Sequence, residues 1–236
     1  RGGHQAGFKL NDRMEYLTYD ARGGVLERDS LRAENRNEDS FGQFRYRNYF
    51  GPHSRWTRQT VLTREGYLVV RDAYEAGKNV DGYLAGPCWL LRPDANWNED
   101  DQPDRGPVKH NPKQNWFDAP AWDHAWWQKQ RKRILLWIHP DAGKTFGITA
   151  HATSADISRP LGFEYYPTQN SHAKAVLKSG KTEVFLSVLV PFDEGQPARE
   201  VARRIRTNVD KVGECTANIG SIIVTITPAG TWKVKR

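Results

Sequence analysis

Proton-transfer chemistry needs side chains that titrate near neutrality or hold a proton in place, and the start of this sequence supplies His4, Tyr16, Tyr19 and Asp20, followed by His53. On a strand through residues 14–20, Tyr16 and Tyr19 would lie on opposite faces, so at most one reaches into a common cleft. A cross-strand or core aromatic is the alternative for either. Four arginines, Arg45, Arg47, Arg55 and Arg58, can grip carboxylate or sulfate groups with paired N–H donors, or lie as solvated strand faces. A third set is aromatic: Trp116-Phe117, Trp122 and Trp126-Trp127, interleaved with Asp118, Asp123 and His124 and followed by Lys129, Arg131, Lys132 and Arg133. Exposed Trp rings offer flat apolar surfaces to pyranose C–H faces, and the nearby cations suit an anionic chain. The same rings could instead cover a sheet or meet another domain. His139 and His151 fall in adjacent expected strands, open to a cross-strand pair or to two separately satisfied sheet histidines. His110, His124 and His172 show no partner spacing.

Charge narrows the partners. Lys and Arg total 35 against 28 Asp and Glu, a formal charge of +7, so acidic polymers are expected, either nucleic acid or an acidic polysaccharide such as a uronate-containing glycan. The basic residues are scattered, with no zinc-finger spacing, basic zipper or RNA-recognition aromatic motif, which argues against nucleic acid. Cys88 and Cys215 stand far apart, as one disulfide or two thiols. No stretch approaches the roughly 20 apolar residues of a membrane span, and no signal peptide is recognisable. The sequence opens on Arg1 without an initiator Met, so a processed or excised fragment is expected.

The elements that must position these residues read as strands. Short apolar-alternating runs separated by turn chemistry predict an all-β antiparallel sandwich in one domain over 1–236, with one short helix. Strands are expected at 14–19, 25–28, 42–50, 55–63, 67–73 and 83–91, with turns at Gly23-Gly24 and Arg64-Glu65-Gly66. Residues 93–120, rich in Asp, Asn, Pro and Trp, read as a long surface loop. Further strands follow at 133–139, 146–152, 163–166, 175–178 and 182–190, the last ending at Pro191. A helix is predicted over 197–208 with Val201, Ala202 and Ile205 as its apolar stripe. Strands at 221–227 and 231–235 close the chain around Pro228-Ala229-Gly230.

Two segments resemble the C-terminal sheet region of heparinase II/III-like polysaccharide lyases. One runs His53-Ser54-Arg55-Trp56-Thr57-Arg58-Gln59-Thr60-Val61-Leu62 into Gly66-Tyr67-Leu68-Val69-Val70-Arg71-Asp72. The other is Val184-Phe185-Leu186-Ser187-Val188-Leu189-Val190-Pro191-Phe192. The resemblance implies a supersandwich-like sheet domain that packs on an N-terminal (α/α) toroid absent from this chain, with an acidic polysaccharide in the cleft between them. It implies cleavage by β-elimination, a secreted or periplasmic location, and loss of any activity that needs the toroid. His4 and Tyr19 would then move protons, and Arg55, Arg58, Trp122 and Trp126 would bind substrate. His4, Asp20 and His53 are similar in order to the family's zinc-holding set, although the family usually carries a further His two residues earlier, where this chain has Gly2. The alternative for the set is a terminal His4, a turn-forming Asp20 and a loop His53 after Pro52. A carbohydrate-binding or structural module without catalytic duty is the alternative for the whole.

Overall fold

A computed structural model describes residues 13–19, 25–31, 38–48, 52–92, 109–111, 113–120, 132–152, 167–193 and 195–236. In chain order the strands are β1 (Arg13–Tyr19), β2 (Val25–Leu31), β3 (Ser40–Arg47), β4 (Arg55–Leu62), β5 (Leu68–Glu75), β6 (Leu84–Ala85) and β7 (Cys88–Arg92). Next come β8 (Lys109–His110), β9 (Trp116–Pro120), β10 (Lys132–Ile138), β11 (Lys144–Ala152), β12 (Pro167–Val176) and β13 (Thr182–Asp193). The helix α1 (Ala198–Arg203) precedes β14 (Ile205–Val209), β15 (Cys215–Ile219), β16 (Ile222–Ile226) and β17 (Trp232–Lys235). The large sheet has the order β1-β2-β3-β4-β5-β13-β10-β9-β8. A second sheet centres on β12, flanked by β11 and by β6 and β7, and the last four strands form a meander. The strand pairs of all three sheets are antiparallel.

The large sheet is the middle layer. Its alternation sends Val61, Val69, Leu135, Leu186, Val188 and Val190 toward Ile205, Ala217, Val224 and Ile226 of the C-terminal meander. The opposite face sends Tyr74, Phe117, Leu136, Ile138 and Phe185 toward Ala85, Ala173 and Ala175 of the β12 sheet. β13 is therefore covered on both faces, which is why residues 184–190 are almost continuously apolar rather than alternating. Phe185, Leu186, Leu135 and Leu136 are fully buried, each contributing about 1.5–3 kcal/mol relative to exposure.

The expected all-β sandwich with one short helix is the observed architecture, with differences that have physical causes. The helix is six residues long and stops at Arg203. Ile205, read as part of its stripe, instead pairs with Ile219 as the first residue of β14, because the meander offers it a fully buried position. The expected loop over 93–120 includes two strands, β8 and β9: Phe117 and Ala119 are wholly buried against β10. β9 supplies the layer with apolar side chains that a composition of Asp, Asn and Pro hid. Residues 93–108, like the expected strand at 163–166 and the turn at Gly23-Gly24, lie outside the described residues. β13 continues through Pro191 to Asp193; pairing with β5 has already ended at Leu189, so the missing N–H costs no bond on that side. Cys88 and Cys215 are both free thiols, on outer sheets separated by the middle one. His139 and His151 do not pair: His139 follows β10 in the large sheet, whereas His151 faces Thr168 across β11 and β12.

Candidate functional site

A groove of about 720 Å³ lies between the large sheet and the loops of the meander. Its floor comes from odd-numbered residues of three neighbouring strands, whose side chains share one face. Thus Gln43, Gln59 and Arg71 line up across β3, β4 and β5; so do Arg45, Thr57 and Ala73, and then Arg47, Arg55 and Glu75. The wall opposite is built by Val209, Asp210, Lys211, Val212 and Gly213, the β14–β15 connection. The third side is His139, Pro140, Asp141 and Ala142 from the β10–β11 connection.

Arg71 is the central cation of this floor and is 3% exposed. Its Nε donates to the Gly213 carbonyl at 2.8 Å and its Nη1 to Gln59 Oε1 at 3.0 Å. Gln59 in turn donates to Gln43 Oε1 at 2.8 Å. Burial pulls the Arg71 pKa down from its ordinary value, with the neighbouring Cys215, Asp72 and Glu75 opposing. Arg55 meets Glu75 at 3.6 Å with both side chains nearly half exposed, a pair worth under about 1 kcal/mol in water.

His139 Nδ1 lies 3.0 Å from Thr207 Oγ1, which also accepts from Trp137 Nε1 at 3.1 Å. Burial first, and then the Lys144 charge, lower the His139 pKa below its ordinary value, so the imidazole is neutral at neutral pH. Lys144 itself is buried: Nζ donates to the Val184 carbonyl at 2.6 Å, meets Asp141 at 3.1 Å and sits 4.7 Å from the Phe185 ring centroid. The groove is thus mixed in charge, with Arg45, Arg55, Arg71 and Lys211 set against Glu75, Asp141, Glu183 and Asp210. Three of those carboxylates already have partners, Glu75 in Arg55, Asp141 in Lys144 and Asp210 in the backbone N–H groups of Val212 and Glu214.

A smaller cavity of about 370 Å³ opens on the other face of β4, lined by Phe44, Arg58, Thr60, Leu68, Val70 and Trp89 among others. Arg58 fills its wall. Nε and Nη2 donate to the two Asp72 oxygens at 2.7 and 3.0 Å, and the guanidinium lies 4.7, 5.3 and 5.8 Å from the Trp89, Trp56 and Phe44 centroids. Burial works against the Arg58 charge, and Asp72 more than offsets it, so its pKa is raised.

Of the residues expected to bind substrate, Arg55 and Arg58 are therefore on opposite faces. Arg55 lines the groove, whereas the Arg58 fork is occupied by Asp72. Trp122 and Trp126 lie outside the described residues, as do His4 and Asp20. Tyr19 ends β1 opposite Val25. Trp116, Phe117 and Asp118, read as part of an aromatic platform, are instead structural: Trp116 packs on the core, Phe117 is buried, and Asp118 pairs with buried Arg133 at 2.6 Å. His53 is exposed at φ 64° in the β3–β4 turn, its N–H donating to Asn48 Oδ1 at 3.0 Å. That turn passes against Gly77, where a Cβ would lie 2.2 Å from the Pro52 carbonyl oxygen. No three His, Cys, Asp or Glu side chains cluster as a metal site among the described residues. Arg71, Lys144 and Lys211 were missed as site residues. A signal for Arg71 existed, since Arg71-Asp72 interrupts an otherwise apolar strand, but not for which face each would take.

No protein-family model and no curated relative matches this sequence. Among solved structures, a crystal structure of heparinase III superposes with a TM-score of 0.55 at 11% identity, over 92% of this chain and 27% of that one. The heparan sulfate lyase HepC from Pedobacter heparinus gives 0.52 at 12% identity, over 87% of this chain and 27% of that one. The chain thus spans about a quarter of the length of the structures it matches. It carries the sheet architecture found within heparinase III and HepC, the fold that its two strand segments led us to expect.

Proposed function

We propose that this chain is the sheet domain of a polysaccharide lyase that cleaves acidic, uronate-containing polysaccharide by β-elimination. The observation that carries the reading is the architecture shared with heparinase III over 92% of the chain. Eliminative cleavage needs the uronate carboxylate neutralised, the C5 proton removed and the leaving glycosidic oxygen protonated. Arg45, Arg55, Arg71 and Lys211 on the groove suit the first task. His4 and Tyr19 are the residues we assign to proton transfer on the resemblance of the sequence, and the neutral His139 is a further proton acceptor on the groove. The remaining cleft wall belongs, in this reading, to a helical toroid outside this chain, and the protein is secreted or periplasmic. Trp122 and Trp126 would stack on sugar rings. Zinc is assigned to His4, Asp20 and His53 on their order alone, since His53 is the one described member and no group of three candidate ligands forms among the described residues.

The full-length protein, with the toroid that this reading places outside the chain, should generate the ultraviolet absorbance of an unsaturated uronate end when incubated with heparan sulfate, heparin or alginate. Retention of that full-length protein by these polymers in affinity electrophoresis without any unsaturated product would overturn the lyase reading in favour of a carbohydrate-binding module. Metal analysis should find near-stoichiometric zinc that is lost in His53→Ala; metal-free, folded protein would remove the zinc assignment.

A further inference from the structure

Arg71 combines three properties that an ordinary sheet-to-sheet tie does not need. It is a cation 3% exposed, yet its hydrogen-bond partners are neutral: the Gly213 carbonyl, Gln59 Oε1 and the Cys215 thiol. A buried guanidinium normally meets a carboxylate, because taking the charge out of water costs several kcal/mol that neutral dipoles only partly offset. The nearest carboxylate on its own face, Glu75, is four residues along β5, about 13 Å of strand rise away, and it faces Arg55. Asp72 points to the other face and holds Arg58.

The third nitrogen, Nη2, takes part in neither the Gly213 nor the Gln59 bond, and the chain keeps space clear beside it. Gly213 adopts φ +82°, and a Cβ there would stand 3.2 Å from Nη2. A side chain there would crowd this edge of the guanidinium. Both Arg71 and Gly213 line the groove, and Arg45 and Arg55 stand one and two ladder steps further along the same face. Cys215, whose thiol lies beside Arg71, does not supply the missing charge, because burial pushes its pKa up to about 12.

We propose that Arg71, presented past Gly213, anchors one oxyanion in the groove, a carboxylate or sulfate group, with Arg45 and Arg55 forming the rest of the cationic wall. An oxyanion placed on Nη2 completes the buried guanidinium with a charge-assisted hydrogen bond. The inference rests on the proposed function only for the molecule that bears this group, an acidic glycan.

The test is calorimetric titration of the purified protein with inorganic sulfate and with acetate at constant ionic strength, followed by competition with heparin, which carries sulfate and carboxylate groups, or alginate, which carries carboxylate alone. Sulfate or acetate should bind the unaltered protein, and Arg71→Gln should weaken that binding roughly tenfold to a hundredfold, the worth of one hydrogen bond to a charged group. Arg199→Gln removes an exposed cation from the helix and should leave binding unchanged, which separates the site from a general charge effect. Gly213→Ala keeps the cation but crowds its Nη2 edge, and should weaken binding even if Arg71→Gln does not fold. Equal affinity in Arg71→Gln and Arg199→Gln, or undiminished affinity in Gly213→Ala, overturns the proposal. Displacement by alginate as well as heparin identifies a carboxylate as the bearer, and displacement by heparin alone identifies a sulfate. Oxyanion binding by this chain, with no unsaturated product from the full-length protein, would sustain this site while overturning the lyase reading.

Discussion

The Arg58–Asp72 pair offers the sharpest test of how the layers are held. Asp72 is fully buried and accepts three hydrogen bonds, from Trp56 Nε1 at 2.9 Å and from Arg58 Nε and Nη2 at 2.7 and 3.0 Å. The Arg58 side chain is 17% exposed and stacked among three aromatic rings, so it cannot swing to water without opening the layer between the large sheet and β7. Asp72→Ala therefore strands a buried cation and an indole N–H together. Breaking such a pair from one side costs about 3–5 kcal/mol, a large share of the 5–15 kcal/mol by which a domain is stable. With a urea slope of about 3 kcal/mol per molar, the unfolding midpoint should fall by more than about 1 M. Replacing both partners by apolar residues, Arg58→Met with Asp72→Leu, should recover more than half of that loss, because no charge is then left in the layer. Urea titration followed by tryptophan fluorescence reads both variants. A loss under about 1 kcal/mol in Asp72→Ala, the range of an exposed ion pair, would refute the reasoning, as would a double variant less stable than Asp72→Ala alone.

Two further outcomes are expected. Glu65 is held at about 2, against an ordinary value of 4.5, chiefly by its hydrogen bond from Arg236. The folded state therefore binds this proton at lower pH than the unfolded chain, and the stability it contributes is complete above about 4.5 and lost as pH falls toward 2. Arg236→Gln should flatten the acid limb of a Tm against pH profile in that window; an unchanged limb would show that other carboxylates govern it. Of the two thiols, Cys88 is exposed and Cys215 is buried with its pKa near 12, so maleimide should modify one cysteine in the folded protein at neutral pH and the second only after unfolding. Burial also raises Cys88 somewhat, so its labelling should quicken with rising pH. Rapid modification of both in the folded state would contradict the layering.

Strand identity was legible because it is local. The alternation around Arg64-Glu65-Gly66 and Pro228-Ala229-Gly230 marks hairpins whose register follows from the turn, and β4–β5 and β16–β17 pair across those residues. β9 was illegible for the opposite reason: five residues amid Asp, Asn and Pro become a strand only because β10 supplies the edge and buries Phe117. The end of α1 was likewise decided from outside, by the β15 edge that takes Ile205.

The candidate site divides in the same way. By itself the sequence determined the residue types, the basic charge, the antiparallel all-β class, and the alternation that puts Arg55 and Arg58 on opposite faces of one strand, since side-chain direction in a strand follows from backbone geometry. Only the tertiary structure decided which face meets which layer. Arg58 points toward the β12 sheet and is closed off by Asp72 and three aromatic rings, whereas Arg71 points toward the meander and finds Gly213, 142 residues away in sequence, at the edge of an open groove. That contact lies across two sheets, and nothing local to either residue encodes it.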